Sequence, residues 1–236
     1  MQVTRKVVTM PDKPQVPSRT PEELRPPDWH RGIVGGLWDE IGRLQFEFLV
    51  GQGLRPEHYL LDIGCGSLRG GVHFIAYLEP GHYYGVDKSQ ELLEAGRRIE
   101  LPRYGLVERA PLLVEMEDFD FATLGRVFEY ALAHSLFTHL PLNSIVRCVM
   151  NIDRVLVPGG RFYATFFENP KGKFHLGPIL HPRADGPDLA TYFDRDPYHY
   201  DVDTFRWICG GTRLRADYIG EWGHPRSQRM LVFTKA

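Results

Sequence analysis

The stretch from His58 to Asp87 constrains the fold more than any other part of the chain. HYLLDIG (58–64) is a short apolar run that reads as a buried strand, and it ends in glycines at 64, 66, 70 and 71. Gly70–Leu78 reads as a helix stopped by Pro80-Gly81, and HYYGVD as a second strand. The same alternation continues. Ser89–Glu100 is a helix with Ser89 as its N-cap, Pro111–Met116 a third strand, and RVFEYALA (126–133) a fourth. Asn143–Leu156 is a helix ended by Val157-Pro158-Gly159-Gly160, and RFYATFF is a fifth strand. Strands alternating with helices predict an α/β fold with a doubly wound, mostly parallel sheet. After a short helix at Asp201–Cys209, ADYIGEW and RMLVFTK are two last strands. The link between them is too short for a parallel crossover, so they form a C-terminal antiparallel hairpin on a seven-stranded sheet.

Two regions fall outside this alternation. Residues 1–28 carry six prolines among polar residues and read as an extended or disordered arm. Residues 168–200 are rich in Pro, Gly, His and Tyr and form a long insertion. The remaining domain, 29–236, opens on a cap helix, because Leu37, Ile41, Leu44, Phe48 and Leu49 recur at helical spacing. Trp29, Trp38 and Phe46 precede the first strand, and Gly35 and Gly36 are suited to a hinge, so this segment is a candidate lid.

The 236 residues are 43% hydrophobic, enough for one core. A formal charge of -2 argues against a dedicated nucleic-acid surface. The three cysteines, Cys65, Cys148 and Cys209, are far apart and suggest neither a zinc site nor a disulfide framework. No metal is expected. With no apolar run of membrane-spanning length and no apolar stretch of the signal-peptide kind at the start, the reading is a cytoplasmic protein without a membrane partner.

The loop Leu60–Gly71 carries the chemistry. Glycines there permit a tight turn and close approach of a ligand to the backbone. Asp87, about twenty residues on and at the end of the next strand, sits where an acid accepts hydrogen bonds from ribose hydroxyls. Asp62 lies just before the glycines, where it would repel a pyrophosphate and tolerate an ammonium group. Arg69 occupies the place of the third glycine of a dinucleotide motif. In Leu61–Gly66, Gly85-Val86-Asp87 and the unit Phe128–Phe167, the chain resembles the class I S-adenosylmethionine-dependent methyltransferases, with the likeness spanning about residues 37–236.

That resemblance implies a Rossmann-like methyltransferase fold and S-adenosylmethionine as cofactor. It implies that Asp62, Gly64, Cys65, Gly66 and Ser67 line the methionine end and the loop, that Asp87 bonds the ribose, and that Lys88 lies beside the adenine. Glu117, Asp118 and Phe119 match an acidic-aromatic segment that meets the adenine. Ala133, His134 and Ser135 match a strand end that faces cofactor and acceptor.

For the acceptor, His134 is the candidate general base, with a pKa near 6.5 if unperturbed. His139, His175, Tyr200, His224 and Arg226 are candidate substrate contacts. No Asp/Asn-Pro-Pro-Tyr/Phe follows the fourth strand, no Pro-Cys occurs, and no paired acids of the magnesium-dependent kind follow strands four and five. These absences leave a small-molecule or peptide acceptor, with oxygen favoured over nitrogen. The competing readings are a non-catalytic S-adenosylmethionine-binding protein and a nicotinamide-dependent oxidoreductase. The sequence leaves the oligomeric state open.

Overall fold

The structure is a computed structural model that describes residues 25–172 and 175–236. All but four residues of the proline-rich arm expected at 1–28 lie outside the described residues. Two helices open the fold, α1 (Trp29–Ile33) and α2 (Trp38–Gly51). The turn between them is left-handed at three consecutive residues, Gly35, Gly36 and Leu37. Two of the three are glycines, which enter that region without steric cost.

The alternating core follows: β1 (Leu60–Ile63), α3 (Gly71–Tyr77), β2 (Tyr83–Asp87) and α4 (Gln90–Ala95). Ser89 caps α4 as expected, its hydroxyl accepting from the Leu92 N–H. The helix read as Ser89–Glu100 is not uniform. It passes through a π-helical turn at Gly96–Glu100 into the single turn α5 (Leu101–Arg103). At Gly96 a Cβ would lie 3.0 Å from Leu68, so the absent side chain lets this turn press against the glycine loop.

The chain continues through β3 (Leu112–Glu115), β4 (Phe128–Ala133), α6 (Leu142–Val155) and β5 (Leu156–Glu168). β5 begins earlier than the sequence suggested. Phe128 pairs with Leu156 and Tyr130 with Arg161, so Val157–Gly160 bulge out of a strand that already started. The insertion carries its own hairpin, β6 (Ile179–His181) against β7 (Leu189–Thr191). The two-residue strand β8 (His199–Tyr200) pairs with the end of β5. Then come α7 (Val202–Ile208), β9 (Leu214–Gly220) and β10 (Arg229–Lys235).

The sheet runs β3-β2-β1-β4-β5-β10-β9. β1 to β5 are parallel neighbours, while β10 is antiparallel to both β5 and β9. This is the Rossmann-like methyltransferase arrangement, seven strands with a C-terminal antiparallel hairpin, plus β8 as a short addition. Each face carries a core. Leu61, Ile63, Ala131, Phe162 and Phe233 point toward α6 and α7, and Leu60, Leu132, Tyr163 and Met230 toward α2 and α3. Burial on both faces explains why the central strands read as continuous apolar runs. The strand order reverses between β1 and β4, which opens a crevice at their carboxyl ends.

Candidate cofactor and acceptor site

A cavity of about 800 Å³ occupies that crevice. Its floor is the glycine loop. Gly64 and Gly66 adopt φ values of 76° and 55°. A Cβ on Gly66 would come within 2.7 Å of Val34, so a side chain there would collide with the cap segment above it. Asp62 lines the cavity from the end of β1 and is almost fully buried. The Tyr83 hydroxyl donates to its Oδ2 at 2.7 Å. Burial, reinforced by the charge of Asp87 and opposed by the Tyr83 bond, pushes its carboxyl up to about 7.

Asp87, at the end of β2, receives the Gly66 N–H on one oxygen at 2.9 Å and the Ser89 N–H on the other at 2.8 Å. It therefore clamps the glycine loop, and each oxygen retains capacity to accept a further bond. Lys88, Glu117 and Phe119 line the same end, as does Cys65, whose buried thiol is raised well above its ordinary value by desolvation. The donor set fits the cofactor anticipated from the sequence: a buried acid beside open glycine backbone, and a second acid on the adjacent strand.

Not every anticipated residue reaches the cavity. Asp118 turns back to accept the Asp120 N–H. Ser67 faces the cap, its hydroxyl 3.0 Å from His30 Nδ1. Ala133 is sealed in the core, and the chain reaches the cavity only with His134, Ser135 and Leu136. His175 belongs to the insertion, where a Gly177 Cβ would lie against its ring, and does not line the cavity. Tyr200 faces a separate, smaller pocket and donates its hydroxyl to the Leu140 carbonyl. His139 and Arg226 do line the cavity, His139 with its Nδ1 2.7 Å from Asp196 of the insertion. His224 sits behind His134, ring centroids 5.2 Å apart, and not on the wall.

His134 is buried, with Trp222 edge-on at 5.8 Å. Its Nδ1 faces Arg69 Nη2 at 3.4 Å, and its Nε2 is buried without a protein partner. Desolvation first, then the charge of Arg69, holds its pKa well below 6.5, so the ring is neutral at ordinary pH. A guanidinium only donates, so Nδ1 is the acceptor and the proton of the neutral ring sits on Nε2.

Sequence reasoning missed several residues of the wall. Arg69 was noted only as a break in a glycine pattern, yet its Nη1 donates to the Val34 and Gly36 carbonyls at 2.6 and 3.0 Å. Ser135 and Thr165 both donate to Gln228 Oε1, and the Ser135 N–H donates to Thr165, which fixes the end of β4 against β10. Ser135 was already read as part of the strand end facing the site, whereas Arg69, Thr165 and Gln228 carry no local signal, because their partners are distant in the chain.

The cap segment closes one side. Ile33, Val34 and Gly35 line the cavity. Arg31 forks onto the fully buried Glu100 at 3.0 and 2.8 Å, and Arg103 reaches the same carboxylate. Trp38 anchors the start of α2 through a bond to the Tyr104 hydroxyl, whereas Phe46 packs on Phe74 and Tyr77, away from the cover. Arg183, Leu189, Asp196 and Pro197 of the insertion form the facing wall. A ligand beneath this cover contacts the cap directly. Proteolytic cutting between residues 25 and 40 is therefore expected to slow in the presence of S-adenosylhomocysteine. Equal cutting with and without it would end the lid assignment.

A methyltransferase-domain family profile matches residues 61–162, from the glycine loop to β5. A demethylmenaquinone methyltransferase of Symbiobacterium thermophilum is 29% identical over 150 residues, which are 60% of this chain and 54% of that protein. The chain thus spans about half the length of that relative. Among solved structures, a magnesium protoporphyrin IX methyltransferase of Synechocystis with bound S-adenosylmethionine aligns with a TM-score of 0.57. It shares 15% identity over 84% of this chain and 81% of that one. An S-adenosylmethionine-dependent methyltransferase of Clostridium acetobutylicum aligns with a TM-score of 0.63 at 13% identity, over 88% and 96%. A sugar N-methyltransferase of Streptoalloteichus aligns with a TM-score of 0.60 at 17% identity, over 100% and 98%. At such identities the structural likeness speaks for the fold alone. The family profile falls on the glycine loop, on Asp62 and on Asp87, and the strand order is that of the methyltransferase fold: residues 61–162 match a methyltransferase domain, and the chain is similar to the class I S-adenosylmethionine-dependent methyltransferases.

Proposed function

We propose that this protein transfers a methyl group from S-adenosylmethionine to a small-molecule acceptor, with oxygen as the receiving atom. One observation carries the reading. Asp62, Asp87 and His134, from the ends of three neighbouring strands, converge on a single cavity that the cap and the insertion cover. When bound, the cofactor supplies an electrophilic methyl group on a sulfonium. The chain's own residues then have to hold the acceptor in line and keep water out. Asp62 holds the ammonium end, Asp87 the ribose, and Phe119 with Glu117 the adenine. Val34, Gly35 and the wall of the insertion exclude water. The candidate contacts His139 and Arg226 stand on the acceptor side.

His134 acts on the acceptor in this reading. With its proton on Nε2 and its pKa held well below 6.5, it donates a hydrogen bond to the acceptor and does not serve as a proton acceptor there. His134→Ala is expected to leave S-adenosylhomocysteine affinity within a few tenths of a kcal/mol. Turnover should fall roughly 10- to 100-fold, the scale of one lost hydrogen bond in a desolvated site. At saturating cofactor, the wild-type rate should show no rise through pH 6.5 from this residue. Near-normal turnover of the variant would remove His134 from the acceptor site, and a rise through pH 6.5 that the variant abolishes would restore it as a base.

Calorimetry tests the cofactor assignment. One S-adenosylhomocysteine site per chain and no NADH binding support it, and NADH binding would favour an oxidoreductase. Methyl incorporation from labelled S-adenosylmethionine into a panel of small hydroxyl, carboxyl and amino compounds separates a methyltransferase from a non-catalytic binder. No incorporation into any hydroxyl or carboxyl compound, with incorporation into amines, would overturn the oxygen assignment.

A further inference from the structure

The acceptor side of the cavity holds more positive charge than the protein around it compensates. Arg69 is buried, its Nε has no protein partner, and among the described residues no carboxylate comes within ion-pair distance of it. Only two backbone carbonyls and His134 receive its protons. Arg226 lies beside it: a Cβ on Gly35 would be 2.9 Å from Arg226 Nη1 and 3.7 Å from Arg69 Nη1. Burial first, then the charge of Arg226, lowers the tendency of Arg69 to stay charged. Arg226 has one carboxylate, Asp185, but Arg183 grips the same group bidentately. Arg183 and Arg226 therefore share a single acid, and Arg69 has no ion-pair partner among the described residues.

Of the other acids of the cavity, Asp62 favours the charged form of Arg69 but makes no ion pair with it. Asp62 and Asp87 are at the ends of β1 and β2, and Asp196 is engaged by His139. The next group in the positive patch is the Nε2–H of His134, buried and without a protein partner. A charge taken out of water without a counter-charge is unfavourable, and guanidinium donors match the planar geometry of a carboxylate.

We propose that Arg69 and Arg226, together with the Nε2–H of His134, form a subsite for a carboxylate borne by the methyl acceptor. This deepens the methyltransferase reading and rests on it. The acceptor is the favoured source of the anion because of sheet order. Arg226 lies in the turn between β9 and β10, and β10 is two strands beyond β4, away from β2 and Asp87. The cofactor's own carboxylate has the same chemistry and is the alternative source.

The test uses the full chain saturated with S-adenosylhomocysteine, titrated with benzoate and with benzamide by ligand-observed NMR. The two probes share size and ring and differ in charge. Benzoate is expected to bind at least tenfold more tightly than benzamide. Arg226→Gln and Arg69→Gln, each saturated with S-adenosylhomocysteine at its own affinity, are expected to remove most of that difference. The wild-type comparison stands without the variants, should either fail to fold. Equal affinity for both probes, or no binding of either, overturns the proposal. So does a loss of S-adenosylhomocysteine affinity in the variants that its decarboxylated analogue does not share, since that assigns the arginines to the cofactor. If S-adenosylhomocysteine does not bind the wild-type protein at all, the methyltransferase reading itself has failed.

Discussion

Replacing Asp87 with alanine is expected to weaken S-adenosylhomocysteine binding by about 1–3 kcal/mol, roughly 5- to 150-fold. Two losses add. The ribose loses a charged acceptor, and the glycine loop loses its clamp, because the same carboxylate receives the Gly66 and Ser89 N–H groups. Asp87→Asn separates the two contributions. An amide oxygen still accepts one backbone bond, but the charge is gone and the amide nitrogen cannot accept the other. Its affinity should fall between wild type and Asp87→Ala. Calorimetry on folded variants checks both, and unchanged affinity in either folded protein would remove Asp87 from the site.

The second large effect is one of pH. Asp62 is buried and its carboxyl is held up to about 7, so near neutrality a large share of the ligand-free protein carries a proton there. An ammonium group seated at Asp62 requires the carboxylate, so binding at lower pH must release that proton. Affinity for S-adenosylhomocysteine should therefore rise with pH by up to about tenfold per unit below 7 and level off above it. Asp62→Asn should bind more weakly at pH 8 and lose the slope. The stability of the ligand-free protein should move the opposite way. An unfolded aspartate gives up its proton near 3.9, whereas the folded one keeps it to about 7. Between those values the folded state binds more protons, so stability falls as pH rises through the window, by roughly 4 kcal/mol at most from this group. Denaturant titrations of wild type and Asp62→Asn across pH 4–8 check the sign. A wild-type affinity that is flat from pH 5.5 to 7.5 would show that Asp62 is already ionised in the free protein.

The candidate roles of Asp62 and Asp87 were legible because each sits at a strand end beside glycines, and both signals are local. The same holds for the Ser89 cap and for the final hairpin, where turn chemistry and a short link leave one arrangement. Where the sequence misled, the cause was local ambiguity resolved by packing. Asp118 and Phe119 are adjacent, yet a left-handed backbone at Phe119 sends one side chain to the cavity and the other back onto the Asp120 N–H. His175 and Tyr200 share the insertion's composition with Arg183 and Asp196, and only the path of the folded insertion separates wall from interior.

The sequence by itself determined the order of strands and helices, the antiparallel ending and the two acids, because hydrophobic period, glycine turns and capping act over a few residues. The tertiary structure alone decided how the cavity is charged. Arg69 meets Val34 across 35 residues, and Arg226 meets Gly35 across 191. The tautomer and the low basicity of His134 follow from Arg69, 65 residues away, and from burial on every side. Electrostatics in a desolvated site depends on distance in space and on the exclusion of water. Neither is written in the spacing of residues along a chain.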